Sequence, residues 1–248
     1  MSWRPGPKLL AAWVALLSIL PRPIPVAAQT PLPGRPIRLW HAALAAGLLI
    51  GTAALDQPTE RWAQRHRSGG ADDAAAVFRH MGQPEVFATV GLGALAAGLL
   101  TGNDDLARAG GRISTSILLA GALTEGGKLT FGRSRPNHSP NDAFSFHPFS
   151  GDASFPSGHT TVAFALAASV ADEIHRPVVT VLLYTAAVGT GWSRINDNKH
   201  WLSDVVTGAG IGIVSAKLVN GHWRLFRLRP PAILLGPGGA GLRWSHSF

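Results

Sequence analysis

The sequence predicts an all-α fold, a bundle of about six apolar helices embedded in a membrane. Three observations carry this reading. Six apolar stretches, roughly 39–55, 86–101, 113–125, 160–171, 177–191 and 205–220, are each bounded by Gly, Pro or charged residues. Strand-like alternation is nearly absent before the C-terminal tail. Hydrophobic residues make up 46% of the 248 positions and charged residues only 15%, more apolar than a soluble domain needs.

In chain order, residues 1–28 read as a signal peptide or an uncleaved N-terminal anchor. Arg4 and Lys8 form a basic start, "LLAAWVALLSIL" is an apolar run, and "PVAAQT" offers small residues for a cut after Ala28. The Pro-rich stretch 21–36 cannot be helical, so 29–38 reads as a linker. The helical domain follows over 39–220. Its first and last stretches, "LWHAALAAGLLIGTAAL" and "VVTGAGIGIVSAKLVN", are rich in small side chains that let helices pack closely. In the tail, 221–248, "AILL" and "LRWSHSF" flank a turn-like "GPGGAG" and suggest a short β-hairpin.

Two accounts of the bundle compete. A membrane span needs about 20 apolar residues, with roughly 17 as a floor, and most of these stretches are shorter. Core helices of a soluble periplasmic protein therefore remain open. Arg35 and Arg38 before the first stretch, with Arg224, Arg227 and Arg229 after the last, suit six spans with cytoplasmic termini. A cleaved leader contradicts that topology, because it would leave residue 29 outside the membrane.

Composition excludes some functions. There is no cysteine, so neither a disulfide nor a thiolate zinc site exists. The formal charge is +8, and +5 without Arg4, Lys8 and Arg22. The basic residues are dispersed, unlike the dense patches of a nucleic-acid binder, and fit anionic substrates or phospholipid headgroups better.

Three polar clusters have no packing explanation. In "KLTFGRSRP", a helix would bring Lys128 and Arg135 to one side before Pro136 stops the run. "PSGH" puts Ser157, Gly158 and His159 at the start of an apolar helix, where backbone N–H groups favour anions. In "SRINDNKHWLSD", His200 and Asp204 are four apart, so the carboxylate can reach the imidazole across one helical turn. Lys128, Arg135 and Arg194 supply three fixed cations, Ser157 a hydroxyl, and Gly158 an unobstructed N–H. That inventory fits a tetrahedral oxyanion such as phosphate. One histidine, oriented and made more basic by Asp204, could attack phosphorus while the other protonates the departing oxygen. The cations stabilise charge without a metal, and Asp142, Asp152 and Asp197 form no convincing magnesium cage.

Each cluster alone has an ordinary explanation: an N-cap serine, snorkelling cations, a surface ion pair. Their conjunction does not. Other features read modestly. His138 and His147 lie in a loop between motifs, "FRHMGQPEVF" reads as a helix junction at Gly82-Gln83-Pro84, and Trp201, beside His200, could wall the pocket.

Together the clusters carry a resemblance to the type 2 phosphatidic acid phosphatase and vanadium haloperoxidase superfamily. Its signature, K-x6-RP, PSGH and SR-x5-H-x3-D, is matched at all eleven fixed positions, in order and at the right spacing. The resemblance implies that His200 is the phosphorylated nucleophile, Asp204 its orienting partner and His159 the general acid. It implies that Lys128, Arg135, Ser157, Gly158 and Arg194 bind phosphate, with no cofactor. Membrane members have six helices and an extracytoplasmic site. The expectation is therefore a metal-independent lipid phosphatase of the cell envelope, acting on a phosphate monoester or pyrophosphate such as phosphatidate, phosphatidylglycerol phosphate or undecaprenyl pyrophosphate. A soluble periplasmic acid phosphatase of broad specificity is the first alternative, and a vanadium-dependent haloperoxidase the second.

Overall fold

The computed structural model describes residues 34–224, 232–236 and 239–243, and it is mainly helical. The leader 1–28 and part of the linker lie outside the described residues. Eight helices are described: α1 (Leu39–Ala54), α2 (Asp56–Arg65), α3 (Gly69–Met81), α4 (Pro84–Thr101), α5 (Asp104–Phe131), α6 (Gly158–Ile174), α7 (Pro177–Asn196) and α8 (Leu202–Val219). The six apolar stretches fall on α1 and α4 through α8. Sequence reading missed α2 and α3, whose mixed polar composition hides an amphipathic period.

Helix ends follow local chemistry. Ser68 caps α3 by accepting from the Ala71 N–H at 3.3 Å, and Pro84 opens α4, where its missing N–H costs nothing. Gly102 then turns the chain in the left-handed region, and the Asn103 side chain accepts from Leu106 N–H at 3.0 Å to start α5. At the far end of α5, Gly132 (φ 54°) is obligatory twice over. A side chain there would be strained, and its Cβ would lie 1.8 Å from the His147 carbonyl oxygen.

The buried centre is α6, with Thr160 through Ser169 shielded on every side by α5, α7 and α8. Its apolar core includes Val162, Ala163, Phe164, Leu166 and Ala167, with Phe87 from α4, Ile113 from α5 and Ala187 from α7. Helix α8 lies almost backbone to backbone against α6. A Cβ at Gly212 would meet the Thr161 carbonyl oxygen at 2.3 Å, and one at Gly208 the Ser157 oxygen at 2.7 Å. At one end of the bundle Arg112 grips Glu173 through two bonds of 2.6 and 2.7 Å.

By length and composition, three helical segments among the described residues could cross a membrane: Gly69–Thr101, Pro177–Asn196 and Leu202–Val219. Helices α1 and α2, bent by 47° at their junction, would make a fourth. Among the described residues this is fewer than the six spans that the termini suggested, because the apolar run of α5 is confined between Arg112 and Glu125 and α6 is short and enclosed. Leu39, Trp40, Leu44 and Ile50 nonetheless stand exposed along α1, an apolar face suited to lipid.

The linker and the tail also acquire structure. Arg35–Pro36 (β1) pairs in parallel with Trp223–Arg224 (β2). The tail forms the expected hairpin, Ala232–Gly236 (β3) antiparallel to Gly239–Arg243 (β4), with Ile233 opposite Leu242. Its turn is tighter than "GPGGAG", since both ends of that stretch join the strands.

Candidate active site

The three motifs converge because α5, α6 and the α7–α8 connection meet at one end of the bundle. A cavity of about 670 Å³ opens there. Of the eight site residues expected from the sequence, Lys128, Arg135, Gly158, His159, Arg194 and His200 line it. Ser157 and Asp204 are fully buried behind this lining. Ser157 occupies the N-cap position of α6 without capping it. Its hydroxyl shares a 2.9 Å bond with Thr160 Oγ1 instead, and its N–H donates to the Asp204 carbonyl at 3.0 Å. That backbone bond ties the start of α6 to the start of α8.

Around His200 the geometry fixes a tautomer. Helix α7 ends at Asn196, and the chain turns through Asn198 at φ 55°. The Arg194 carbonyl then accepts from the N–H groups of Lys199 (3.0 Å) and His200 (3.3 Å). The same turn thus positions a cation and an imidazole. His200 Nδ1 lies 2.7 Å from the Ser154 carbonyl oxygen, which can only accept, so Nδ1 carries the proton. The lone pair is left on Nε2. Asp204 stands 3.6 Å from Nδ1, close enough for charge attraction but not for a good hydrogen bond. The expected direct Asp204–His200 bond is therefore replaced by one to Ser154, whose hydroxyl also donates to Asp204 at 2.6 Å.

The cations differ in how they are held. Arg194 is anchored through one nitrogen, Nη2, at 2.6 Å from Asp197. Its Nε and Nη1 are buried with no hydrogen-bond partner among the described residues. Lys128 Nζ lies 2.6 Å from Glu125, and a Cβ at Gly158 would lie 3.2 Å from that nitrogen. A glycine here leaves the ammonium room to approach the first turn of α6 closely. Arg135 forms no ion pair among the described residues.

Both histidine rings sit outside the segments long and apolar enough to span, and both are kept neutral. Burial pushes His159 down to about 4, helped by Arg194, His200, Lys128 and Arg135. Burial also lowers His200, opposed by Asp204 and the Ser154 bond and assisted by Arg135. Asp204 thus offsets the desolvation of His200 without making it more basic than a free imidazole.

Several participants carry no sequence signal. Lys199 and Arg79 also line the cavity, and Arg79 reaches Asp197 at 2.7 Å, so Asp197 clamps two arginines at once. "FRHMGQPEVF" does contain the junction between α3 and α4, yet it also delivers Arg79. Arg133, two residues before Arg135, is buried and bonded to Asp204 at 2.6 Å. Trp201 does not wall the cavity. It is buried over Arg133, with its ring centre 5.5 Å from the guanidinium carbon. His138 and His147 are absent from the cavity lining.

Comparison with known proteins agrees with this architecture. The solved structure of Aquifex aeolicus LpxE superposes with a TM-score of 0.52 at 24% identity, covering 65% of this chain and 92% of that one. The first transmembrane PAP2 type phosphatidylglycerolphosphate phosphatase from Bacillus subtilis superposes at 0.53 and 21% identity, covering 74% and 96%. These likenesses establish the fold. Among curated proteins, the lipid A 1-phosphatase of Porphyromonas gingivalis is 40% identical over 109 residues, 43% of this chain and 22% of that protein. The lipid A 1-phosphatase of Rhizobium etli is 34% identical over 129 residues, 49% of this chain and 55% of that protein. The chain thus matches between about a fifth and just over half the length of these relatives. The model of the PAP2 superfamily matches residues 109–227. That segment, just under half of the chain, holds all three motifs and every residue expected in the site, and it is there that the chain is similar to the PAP2 superfamily.

Proposed function

We propose that this protein is a lipid phosphatase working through a phosphohistidine at His200. One observation carries the reading: Arg194 presents two buried, unpartnered nitrogens at the cavity that also holds both histidine rings. Buried donors without acceptors are costly, and a tetrahedral oxyanion would satisfy them. The apolar side of the same cavity, formed by Ala88, Ile117, Leu118, Ala122 and Val162, favours a lipid over a small soluble ester. The names of the relatives make lipid A 1-phosphate the first substrate to try. The exposed apolar face of α1 supports a membrane setting, and we place the site on the extracytoplasmic side as in membrane members of the superfamily.

In the proposed cycle, Nε2 of His200 attacks phosphorus in line as the bond to the lipid oxygen breaks. His159 gives its proton to that oxygen. The phosphate itself favours this proton's presence, because a bound dianion screens the ring from Arg194, Lys128 and Arg135. Water then attacks the phosphohistidine, His159 takes up its proton, and inorganic phosphate leaves. Lys128, Arg135 and Arg194 hold the phosphoryl oxygens throughout.

The test is phosphate release by detergent-solubilised protein, with EDTA present. The panel is lipid A 1-phosphate, phosphatidate, phosphatidylglycerol phosphate, undecaprenyl pyrophosphate and a small aryl phosphate. Wild type should release phosphate from at least one lipid, and His200→Ala should release none while retaining its helical signal. A folded His200→Ala protein with wild-type rates would overturn the mechanism. A preference for the aryl ester would overturn the lipid assignment.

A further inference from the structure

Behind His200 lies a buried charge network that no motif predicts. Arg133 and Asp56 are both almost wholly enclosed, with side-chain exposures of 2% and 0%. All five donors of Arg133 are used. Nε and Nη2 donate to the Ala143 carbonyl, Nη2 also to Asp56 at 2.6 Å, and Nη1 to Ser203 Oγ at 2.7 Å and Asp204 at 2.6 Å. Asp56 also accepts from the N–H and the hydroxyl of Ser203, each at 2.7 Å, and donates to nothing. It therefore grips both the arginine and the first turn of α8. Asp56 opens α2, at the bend after α1, and lies outside the segment that matches the superfamily.

We propose that Asp56, acting through Arg133, is a positioning residue that sets the net charge behind His200. This rests on the reading of His200 as nucleophile. Asp204 is needed as a negative charge, but Arg133 alone would cancel it. Counting Asp56 (−1), Arg133 (+1) and Asp204 (−1) leaves one net negative charge. It is the charge on the buried side of the ring; across the cavity His200 faces His159 and the cations Lys128, Arg135, Arg194 and Lys199, with Glu125 paired to Lys128 and Asp197 to Arg194. As Nε2 bonds to phosphorus, the ring becomes cationic, and the surplus charge compensates it in a site where water cannot. Asp56 thus permits a fully satisfied arginine to hold Asp204 rigidly without erasing its charge.

The test is the pH profile of phosphate release by full-length Asp56→Asn. Removing the charge disfavours protonation of His200, so the acid limb of kcat/KM should move down by about one pH unit. The plateau of kcat should fall about tenfold or more, since the cationic ring loses its compensation. Inhibition by inorganic phosphate should stay within about threefold, because the cavity cations are untouched. An acid limb within about 0.2 units of wild type overturns the inference whatever the rate. Should Asp56→Asn not fold, Asp56→Asn with Arg133→Gln carries the test. That pair keeps the net charge and removes the nearer cation, so its acid limb should lie at or above that of wild type, and a lower limb overturns the inference. Inactive wild type would instead overturn the function, so the two failures are distinguishable.

Discussion

Arg194→Lys isolates the claim on which the functional reading depends. The substitution keeps the charge and leaves the Arg194 carbonyl free to receive the N–H groups of Lys199 and His200, so the turn that positions the nucleophile survives. A lysine ammonium can also reach for Asp197. What it lacks is the fork: Nη2 anchored at 2.6 Å while Nε and Nη1 remain available. One ammonium cannot serve Asp197 and two phosphoryl oxygens in the same way, and at least one charge-assisted hydrogen bond is lost. Such a bond contributes about 1.5–3 kcal/mol. At about 1.4 kcal/mol per tenfold, kcat/KM should fall roughly 10- to 150-fold. The assay is steady-state phosphate release from the best lipid of the panel, with inhibition by inorganic phosphate measured alongside. Inhibition should weaken as well, since the product offers the same oxygens. If both constants stay within about threefold of wild type in a protein of unchanged melting temperature, the unpartnered nitrogens are not anion donors, and the argument from Arg194 fails.

Two further outcomes follow from packing and protonation. His159 is held near 4 in the fold, against about 6.5 unfolded, so the unfolded chain takes up the proton first as pH falls. The His159 contribution to stability is intact above about pH 6.5 and is lost progressively down to pH 4. Between pH 7 and pH 5, wild type should lose about 2 kcal/mol more stability than His159→Gln, read from denaturant melts; equal losses would refute the assignment of burial to this ring. Gly212→Ala places a Cβ 2.3 Å from the Thr161 oxygen and 2.7 Å from the Ala165 nitrogen, both backbone atoms. It should cost about 1–3 kcal/mol and lower activity by displacing the helix that carries His159; an unchanged melting temperature would mean that α6 and α8 are not in this register.

Why were the six apolar helices legible while α2 and α3 were not? A run such as 39–54 needs no partner to declare itself, since its composition is apolar on every face. Helix α2, "DQPTERWAQR", is mostly polar and earns its place through Asp56 and Gln64, which reach residues far away in sequence. The cavity residues were legible because their spacing is short, although no single helix carries Lys128 and Arg135 as expected. Helix α5 ends at Phe131 with Gly132 as its cap, and Arg135 lies in the extended chain beyond, while Arg194 and His200 flank the end of α7. The bond from His200 to Ser154 was not, because 46 residues separate the partners. Tertiary hydrogen bonds of this kind leave no periodic trace.

Arg133 and Arg135 show where sequence reasoning reaches its limit. The two stand in one tripeptide, "RSR", with the same charge and the same neighbours. Arg135 faces the cavity without an ion pair, while Arg133 is buried and saturated by Asp56, Ser203, Asp204 and the Ala143 carbonyl. Gly132 ends α5 in the left-handed region, and the chain beyond it turns inward, burying Arg133 and Ser134 before Arg135 emerges at the cavity. Arg133 is held there by an antiparallel bridge to Phe146, whose ring lies 5.4 Å from the buried guanidinium. An arginine used for binding must keep donors in reserve, and an arginine used for architecture must keep none. Charge, spacing and motif membership are blind to that distinction. It is decided by the acceptors that the rest of the chain brings, and here the deciding acceptor, Asp56, arrives from a helix beyond the reach of every motif.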